Sequence, residues 1–228
     1  MSTALYHGIG GLRFWSEDEI ERREAFVARM ASVFRRTLTD INPAFGMARV
    51  EGPILTPQDF VNSAYDASDI FVTQISKAGQ PLTLRAETTA STYAAMRAMR
   101  PRLPFCAWQA GKSFRVEAND GASAAKLRFN EFWQLEFQVA YRADTKADYR
   151  AALMTVATRE IARETSTSTR HVESDRLPAY SSSTLDIEVL HGDVWREVAS
   201  CSLRTDYAPD VLVCEIAIGL DRVISIRE

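Results

Sequence analysis

The segment GKSFRVEANDGASAAKLRFNEFWQLEF, residues 111–137, reads as two strands joined by a loop. In an extended chain every second side chain falls on the same side. On the second strand the odd positions Leu127, Phe129, Trp133, Leu135, Phe137 and Val139 are apolar, with Glu131 the exception. The even positions are Lys126, Arg128, Asn130, Phe132, Gln134, Glu136 and Gln138. One face is therefore core, and the other is polar with a single phenyl ring in its middle. Arg115 and Glu117 share a face of the first strand in the same way. A solvated sheet face produces the same alternation, so the surrounding chain has to separate the two meanings.

Outward from this segment, helices come singly and strands come in runs. Ser16 through Leu38 carries an S-x-x-E capping box, Ser16 with Glu19, followed by Val27, Met30, Phe34 and Leu38 at helical spacing. INPAFG (41–46) breaks that helix, and MARVEGPIL (47–55) reads as one strand with Pro53 at an edge or interface position. A second helix is expected over Thr88–Met99, stopped by Pro101. Strands are expected at 105–108, 112–117 and 126–139, then a third helix over Lys146–Glu164. TSTSTR (165–170) reads as a connector, because Ser and Thr side chains compete for backbone hydrogen bonds. Strands follow at 184–190, 195–202 and 211–217, with a short helix after Gly219. This order predicts an α+β domain with a largely antiparallel sheet of six or seven strands flanked by helices.

Composition narrows the function classes. A length of 228 residues suits one large domain. A net charge of −3 provides no overall basic field for nucleic acid. Cys106, Cys201 and Cys214 form neither a metal pair nor a disulfide framework, and His7, His171 and His191 are not spaced as ligands. The start has no charged and apolar leader pattern, and no apolar run approaches the ~18 residues that cross a bilayer. A cytoplasmic protein with no membrane partner is expected. AGKS (110–113) looks like the end of a phosphate-binding loop, but that loop needs a glycine where Cys106 stands and a helix where a strand is expected.

Four segments together resemble the class II aminoacyl-tRNA synthetase catalytic core. FRVE (114–117) and RFNEF (128–132) resemble that family's second motif, GLDR (219–222) its third, and the long helix, strand and Pro53 its first, the dimerisation motif. The branch most similar is the dimeric glycyl-tRNA synthetases. LRAETTA (84–90), LPFCAWQAGKSFRVE (103–117), AYSSSTLDIE (179–188) and WREVASCSLRTDY (195–207) resemble segments of that branch. The third motif departs from it: EIAIGLDR (215–222) places Ala217 where the glycyl enzymes carry a serine. That keeps glycine favoured but leaves serine, alanine or another small amino acid open. The resemblance implies one catalytic domain over residues 1–228 without an anticodon-binding domain, and a homodimer.

It also implies ATP and Mg²⁺ as cofactors and an aminoacyl adenylate as product, passed to tRNA, a carrier protein or a small molecule. A smaller acceptor than tRNA is favoured, because the loop Ala118–Ala125 holds one ionisable group, Asp120. By resemblance Arg115 meets the α-phosphate, and Arg128 and Arg222 hold the γ-phosphate end. Arg222 also covers one face of adenine while Phe132 stacks on the other. Glu117 approaches the adenine edge or the acceptor. Glu197 is a Mg²⁺ ligand, helped by Ser200 only if a bulge brings positions three apart to one face. Glu87 and Glu136 are expected to meet the amino acid's ammonium group, with Arg204 and Ala217 completing that pocket. Read bare, these residues also have plain explanations. Arg115 can pair with Glu117 at the surface, Phe132 can be a core ring, and Glu87 can answer a helix dipole. A non-catalytic accessory protein derived from a synthetase and a dinucleoside polyphosphate synthase are the alternative functions.

Overall fold

A computed structural model describes residues 11–58, 65–73, 79, 81–117, 121–123 and 125–226. Helix α1 (Glu17–Ile41) starts at the expected capping box. The Ser16 side chain accepts from the Glu19 backbone N–H, and the Glu19 carboxylate accepts from that of Ser16. Its buried stripe runs through Phe26, Met30, Phe34 and Leu38, a strict i, i+4 row, with Val27 only partly buried at its edge.

Among the described residues nine strands and three further α-helices follow: β1 (Gly46–Arg49), β2 (Leu55–Pro57), β3 (Leu82–Leu84), α2 (Thr89–Met99), β4 (Phe105–Phe114), β5 (Glu131–Arg142), α3 (Tyr149–Thr165), β6 (Thr169–Glu173), β7 (Ser181–His191), β8 (Val194–Ala208), β9 (Val211–Gly219) and α4 (Leu220–Ser225). Seven strands form one sheet in the order β1-β4-β5-β9-β8-β7-β6. Only β1 and β4 run parallel, so the sheet is largely antiparallel as expected. Strands β2 and β3 form a small separate hairpin-like sheet.

The odd positions of β5 pack with α1, α3 and α4 into the main core, where Leu135, Phe137 and Val139 are fully buried. Phe137 lies between Phe34 of α1 and Trp108 of β4, with ring centroids 4.3 Å and 5.8 Å away. Helix α2 lies on the other face, where Tyr93 and Met96 cluster with Ala107, Ala140 and Val213. The polar face is therefore not a solvated one. Gln134, Glu136 and Gln138 are 5%, 0% and 0% exposed.

Several boundaries differ from the sequence reading. The expected strands 105–108 and 112–117 are one strand, β4, and Arg115–Glu117 lie beyond its end. The expected strand 126–139 begins only at Glu131, because Leu127 takes a left-handed backbone conformation (φ 53°) in the preceding turn. MARVEGPIL splits into β1 and β2 around Gly52 and Pro53. TSTSTR is connector only in part: Ser166 caps α3 in the left-handed region, and Thr169 already pairs with Val189 in β6. AGKS sits in the last half of β4, with no helix after it among the described residues before β5, and Lys112 forms an ion pair with Glu131.

Candidate active site

Antiparallel register sets the site out in rows across the polar face. One row reads Asp186, Ser200, Ala217, Glu136 and Gln109 on β7, β8, β9, β5 and β4. The next row reads Thr184, Ser202, Glu215, Gln138 and Ala107 on the same strands. Neighbouring strands are about 4.8 Å apart, so Ser200 and Ala217 form a floor of small side chains between two carboxylate-bearing strands. Above this floor is a cavity of about 530 Å³, within the range of a small-molecule site.

At one end of the cavity the charges are buried and paired. Glu136 accepts from Gln138 Nε2 (2.7 Å) and Thr89 Oγ1 (3.2 Å), and the same Gln138 nitrogen donates to Glu215 (3.0 Å). Arg204 donates to Glu215 (2.7 Å) and in two bonds to Asp206 (3.1 and 2.9 Å). Its guanidinium lies between the rings of Tyr93 and Tyr180, 3.7 and 3.8 Å from their centroids. Burial, with Glu215 and Glu87 nearby, holds Glu136 well above the usual carboxylate range. Burial also raises Glu215, although Arg204 pulls the other way. For Arg204 burial opposes the charge, but the bonds to Asp206 and Glu215 prevail and its pKa is raised.

At the other end the arginines stand just past a strand end, in a turn and at the start of α4. Arg115 donates to the Tyr65 hydroxyl (2.6 Å) and to the carbonyl of Ala86 (3.2 Å). The Tyr65 hydroxyl donates to Glu87 (2.7 Å), whose carboxylate is 3.9 Å from Arg115. The carboxylate partner of Arg115 is thus Glu87, not the sequence neighbour Glu117, which lies 3.5 Å from Arg128 instead. Asn130 positions Glu117 by accepting from its backbone N–H (2.8 Å). Arg222 donates to the carbonyls of Leu127 (3.1 Å) and Glu197 (2.8 Å), and the Glu197 carboxylate is 3.6 Å away. Burial lowers the Arg222 pKa, with Glu197 opposing the shift. Phe132 turns its ring to Arg115, 5.1 Å from the guanidinium carbon.

The expected residues Arg115, Glu117, Arg128, Phe132, Glu197, Arg222, Glu87, Ala217 and Ser200 all line this cavity. Glu136 and Arg204 do not; they lie one layer beneath its wall, behind Thr89 and Glu215. The bulge that Glu197 and Ser200 require is present. Ile187 pairs with Ala199 and Glu188 with Glu197, so Val198 is the extra residue and both side chains reach one cavity.

Four residues were missed. Gln138 falls on the even face of β5 marked by alternation, whereas Glu215 stands on β9 and is brought to it by register. Asp186 stands in the TLDIE segment, with burial raising it to about 6 and one carboxylate oxygen buried without a hydrogen-bond partner. Tyr65 has no local pattern; only tertiary contact brings it to Arg115, 50 residues on.

A second tier supports these groups. A Cβ at Gly111 would lie 2.2 Å from a guanidinium nitrogen of Arg85, so glycine makes room for that side chain. Arg85 ties the carbonyls of Gly52 and Lys112 together (2.8 and 2.6 Å), joining the end of β4 to the segment before β2. Asp221 accepts from the backbone N–H of Trp133, joining α4 to the start of β5 between Arg222 and Phe132. Burial raises Asp221 to about 7.

Residues 54–224 match the family described as tRNA synthetases class II core domain (F), and the chain belongs to that family. The glycine–tRNA ligase of Macrococcus caseolyticus is 31% identical over 132 residues, 54% of this chain and 28% of that protein. That of Lachnoclostridium phytofermentans is 32% identical over 136 residues, with the same shares covered. The aligned region is thus little more than a quarter of those relatives' length. Prolyl-tRNA synthetase from Cryptosporidium parvum, solved with halofuginone and AMPPNP, superposes with a TM-score of 0.74 over 97% of this chain and 48% of that chain. At 14% identity that likeness shows the fold. Among the described residues no helix is long and apolar enough to cross a membrane.

Proposed function

We propose that the chain activates a small amino acid with ATP, glycine being favoured, to give an aminoacyl adenylate and pyrophosphate. One observation carries this reading: buried carboxylates and a cluster of arginines occupy opposite ends of a single cavity and meet at the Arg115–Tyr65–Glu87 junction. The α-ammonium is met by Glu87 and Glu215 at the wall, with Glu136 beneath them accepting from Gln138 and Thr89. Arg204 acts through Glu215 and is a positioning residue. Ala217 and Ser200 leave room on the floor for a small side chain.

A carboxylate oxygen of the amino acid attacks the α-phosphorus, and pyrophosphate leaves. Two anions must approach each other, and the Arg115 fork bridges carboxylate and phosphate oxygens. Arg128 and Arg222 exchange their carboxylate partners for the β- and γ-phosphates. Adenine lies between Phe132 and Arg222, with Glu117 at its edge. The donor set fits Mg²⁺, which is held by one or two carboxylates plus substrate phosphates rather than by an all-protein cage. Among the described residues no group of three or more His, Cys, Asp or Glu is arranged for a metal, and the unpartnered Asp186 oxygen is beside Ser200 and near Glu197. Glu197, Ser200 and Asp186 would hold the ion, which when bound neutralises phosphate charge.

The partners are a second copy of this chain and an acceptor. The exposed Ile54, Leu55 and Val72 around the β2–β3 sheet supply apolar surface for a two-fold interface together with α1. A monomeric mass at micromolar concentration would count against the dimer. The acceptor is a tRNA end or, slightly favoured by the nearly uncharged loop 118–125, a smaller thiol, hydroxyl or amine. Aminoacylation of total tRNA, measured beside adenylate formation, separates these. Amino-acid-dependent ATP–pyrophosphate exchange across the twenty amino acids tests the whole reading. Exchange with glycine or another small amino acid is expected, and its absence with all twenty refutes it.

A further inference from the structure

Four arginines line the cavity: Arg115, Arg128, Arg176 and Arg222. Three of them already face a carboxylate, Glu87 at 3.9 Å, Glu117 at 3.5 Å and Glu197 at 3.6 Å respectively for Arg115, Arg128 and Arg222. The side chain of Arg176 makes no hydrogen bond or ion pair among the described residues, although it lines the same space. ATP and an amino-acid carboxylate bring more negative charge than three partly neutralised guanidinium groups offset.

The position of Arg176 is defined by its loop. Residues 174–180 join β6 to β7 and border the cavity on the side away from β4. The loop is pinned at both ends, with Ser174 N–H donating to Thr184 (3.1 Å) and Thr205 N–H donating to Tyr180 (3.1 Å). Within it, Ser181 N–H donates to Pro178 (2.9 Å), and the Ser174 hydroxyl accepts from the Arg176 N–H (3.3 Å). Tyr180 then lies flat on Arg204 at the amino-acid end. Arg176 therefore stands on the loop whose last residue covers Arg204, and it lines the same cavity as the Tyr65–Glu87 pair that meets Arg115.

We propose that Arg176 is a further catalytic residue, closing from the β7 side onto the α-phosphate and amino-acid carboxylate while Arg115 holds them from the β4 side. This rests on the activation reading given above. In the step it serves, a carboxylate oxygen forms a bond to the α-phosphorus as the bond from that phosphorus to the bridging oxygen breaks. The electron pair leaves with pyrophosphate, and no proton need move. The negative charge on the non-bridging α-phosphate oxygens is gathered between two guanidinium forks. A donor placed where the reacting charge concentrates affects the rate more than ground-state binding.

The experiment compares the full chain with Arg176→Ala and Arg176→Lys. It measures amino-acid-dependent ATP–pyrophosphate exchange, and calorimetric binding of the α,β-methylene analogue of ATP, which cannot be cleaved at that bond. Arg176→Ala is expected to lower exchange about 100-fold, with analogue affinity within about threefold of the parent and an unchanged melting temperature, since the side chain is exposed. Arg176→Lys is expected to recover only part of the loss, because a point charge lacks the fork. Exchange at the parental rate overturns the proposal, as does a loss of analogue affinity equal to the loss of exchange, which would make Arg176 a general phosphate clamp. If the unmodified chain binds the analogue but exchanges with no amino acid, the activation reading fails and the proposal with it.

Discussion

At the Glu215 end of the cavity Glu136, Arg204 and Glu215 are 0–6% exposed and held by several bonds each, whereas at the Arg128 end the pairs are single, longer and wetter. Arg204 and Glu215 are 6% and 7% exposed as side chains, at 2.7 Å; Arg128 and Glu197 are 53% and 49% exposed, in pairs of 3.5 and 3.6 Å. The first end stands on β5, β8 and β9, where ladder register places each side chain. The second stands on a strand terminus, a turn and the start of α4. A pocket that must discriminate a few atoms is best fully formed before the ligand arrives, because its buried charges are costly to leave unpaired. Groups that must receive a triphosphate and later release pyrophosphate are better kept in weak pairs, worth roughly 0–1 kcal/mol each, which an incoming anion can displace.

The sharpest way to break this contrast is Arg204→Met. Removing its guanidinium leaves the buried Glu215 carboxylate uncompensated, and a loss of about 3–5 kcal/mol in folding stability is expected. Urea unfolding measures it, and a midpoint equal to the parent's would show that the Glu215 end is not preorganised by its pairs. Next, Arg115→Ala is expected to cost about 3 kcal/mol of transition-state stabilisation. Exchange assays would detect that loss, while the melting temperature should change far less than in Arg204→Met. If the two variants lose similar stability, the two ends are alike.

A smaller effect is expected of Phe132→Ala, roughly 1–3 kcal/mol in ATP affinity, the scale of one aromatic–base stack. Calorimetry that finds no change would show that Phe132 does not stack on the base. A pH effect is also expected, at Asp221. Burial raises its folded-state pKa to about 7, above the value of about 3.9 for an unfolded aspartate. Between these values the folded chain holds a proton that the unfolded chain has released. Its contribution is therefore fully present below about pH 4 and is lost as pH rises toward 7. Asp221→Asn keeps an acceptor for the Trp133 N–H but cannot titrate. It should gain on the parent in thermal midpoint from pH 4 to pH 8, and parallel curves would show that Asp221 does not bear this cost.

How much of this was legible depends on how local each cause is. The capping box at Ser16 and Glu19 and the alternation from Leu127 to Val139 are set within a few residues, so helix α1 and the two faces of β5 could be read directly. Arg115, Arg128, Phe132, Glu197 and Arg222 were found because short motifs carry them, and they do share one cavity. The partner of Arg115 was not legible. The chain leaves the sheet after Phe114, which frees Glu117 for Arg128 and leaves Arg115 to Tyr65 and Glu87.

The sequence by itself determined which residues have a polar face, a capped helix and a motif arginine, because dihedral preference and side-chain period act over one or two turns of chain. Only the tertiary structure decided that the polar face is buried, since that depends on α2 packing over β4 and β5. It also decided that Glu136 and Arg204 lie beneath the wall while Glu215 and Asp186 reach it, and that a bulge at Val198 turns Glu197 toward Ser200. These outcomes follow from ladder register among β5, β7, β8 and β9, where a shift of one residue reverses every side chain. Register is set by the summed packing of all the strands, which no single segment contains.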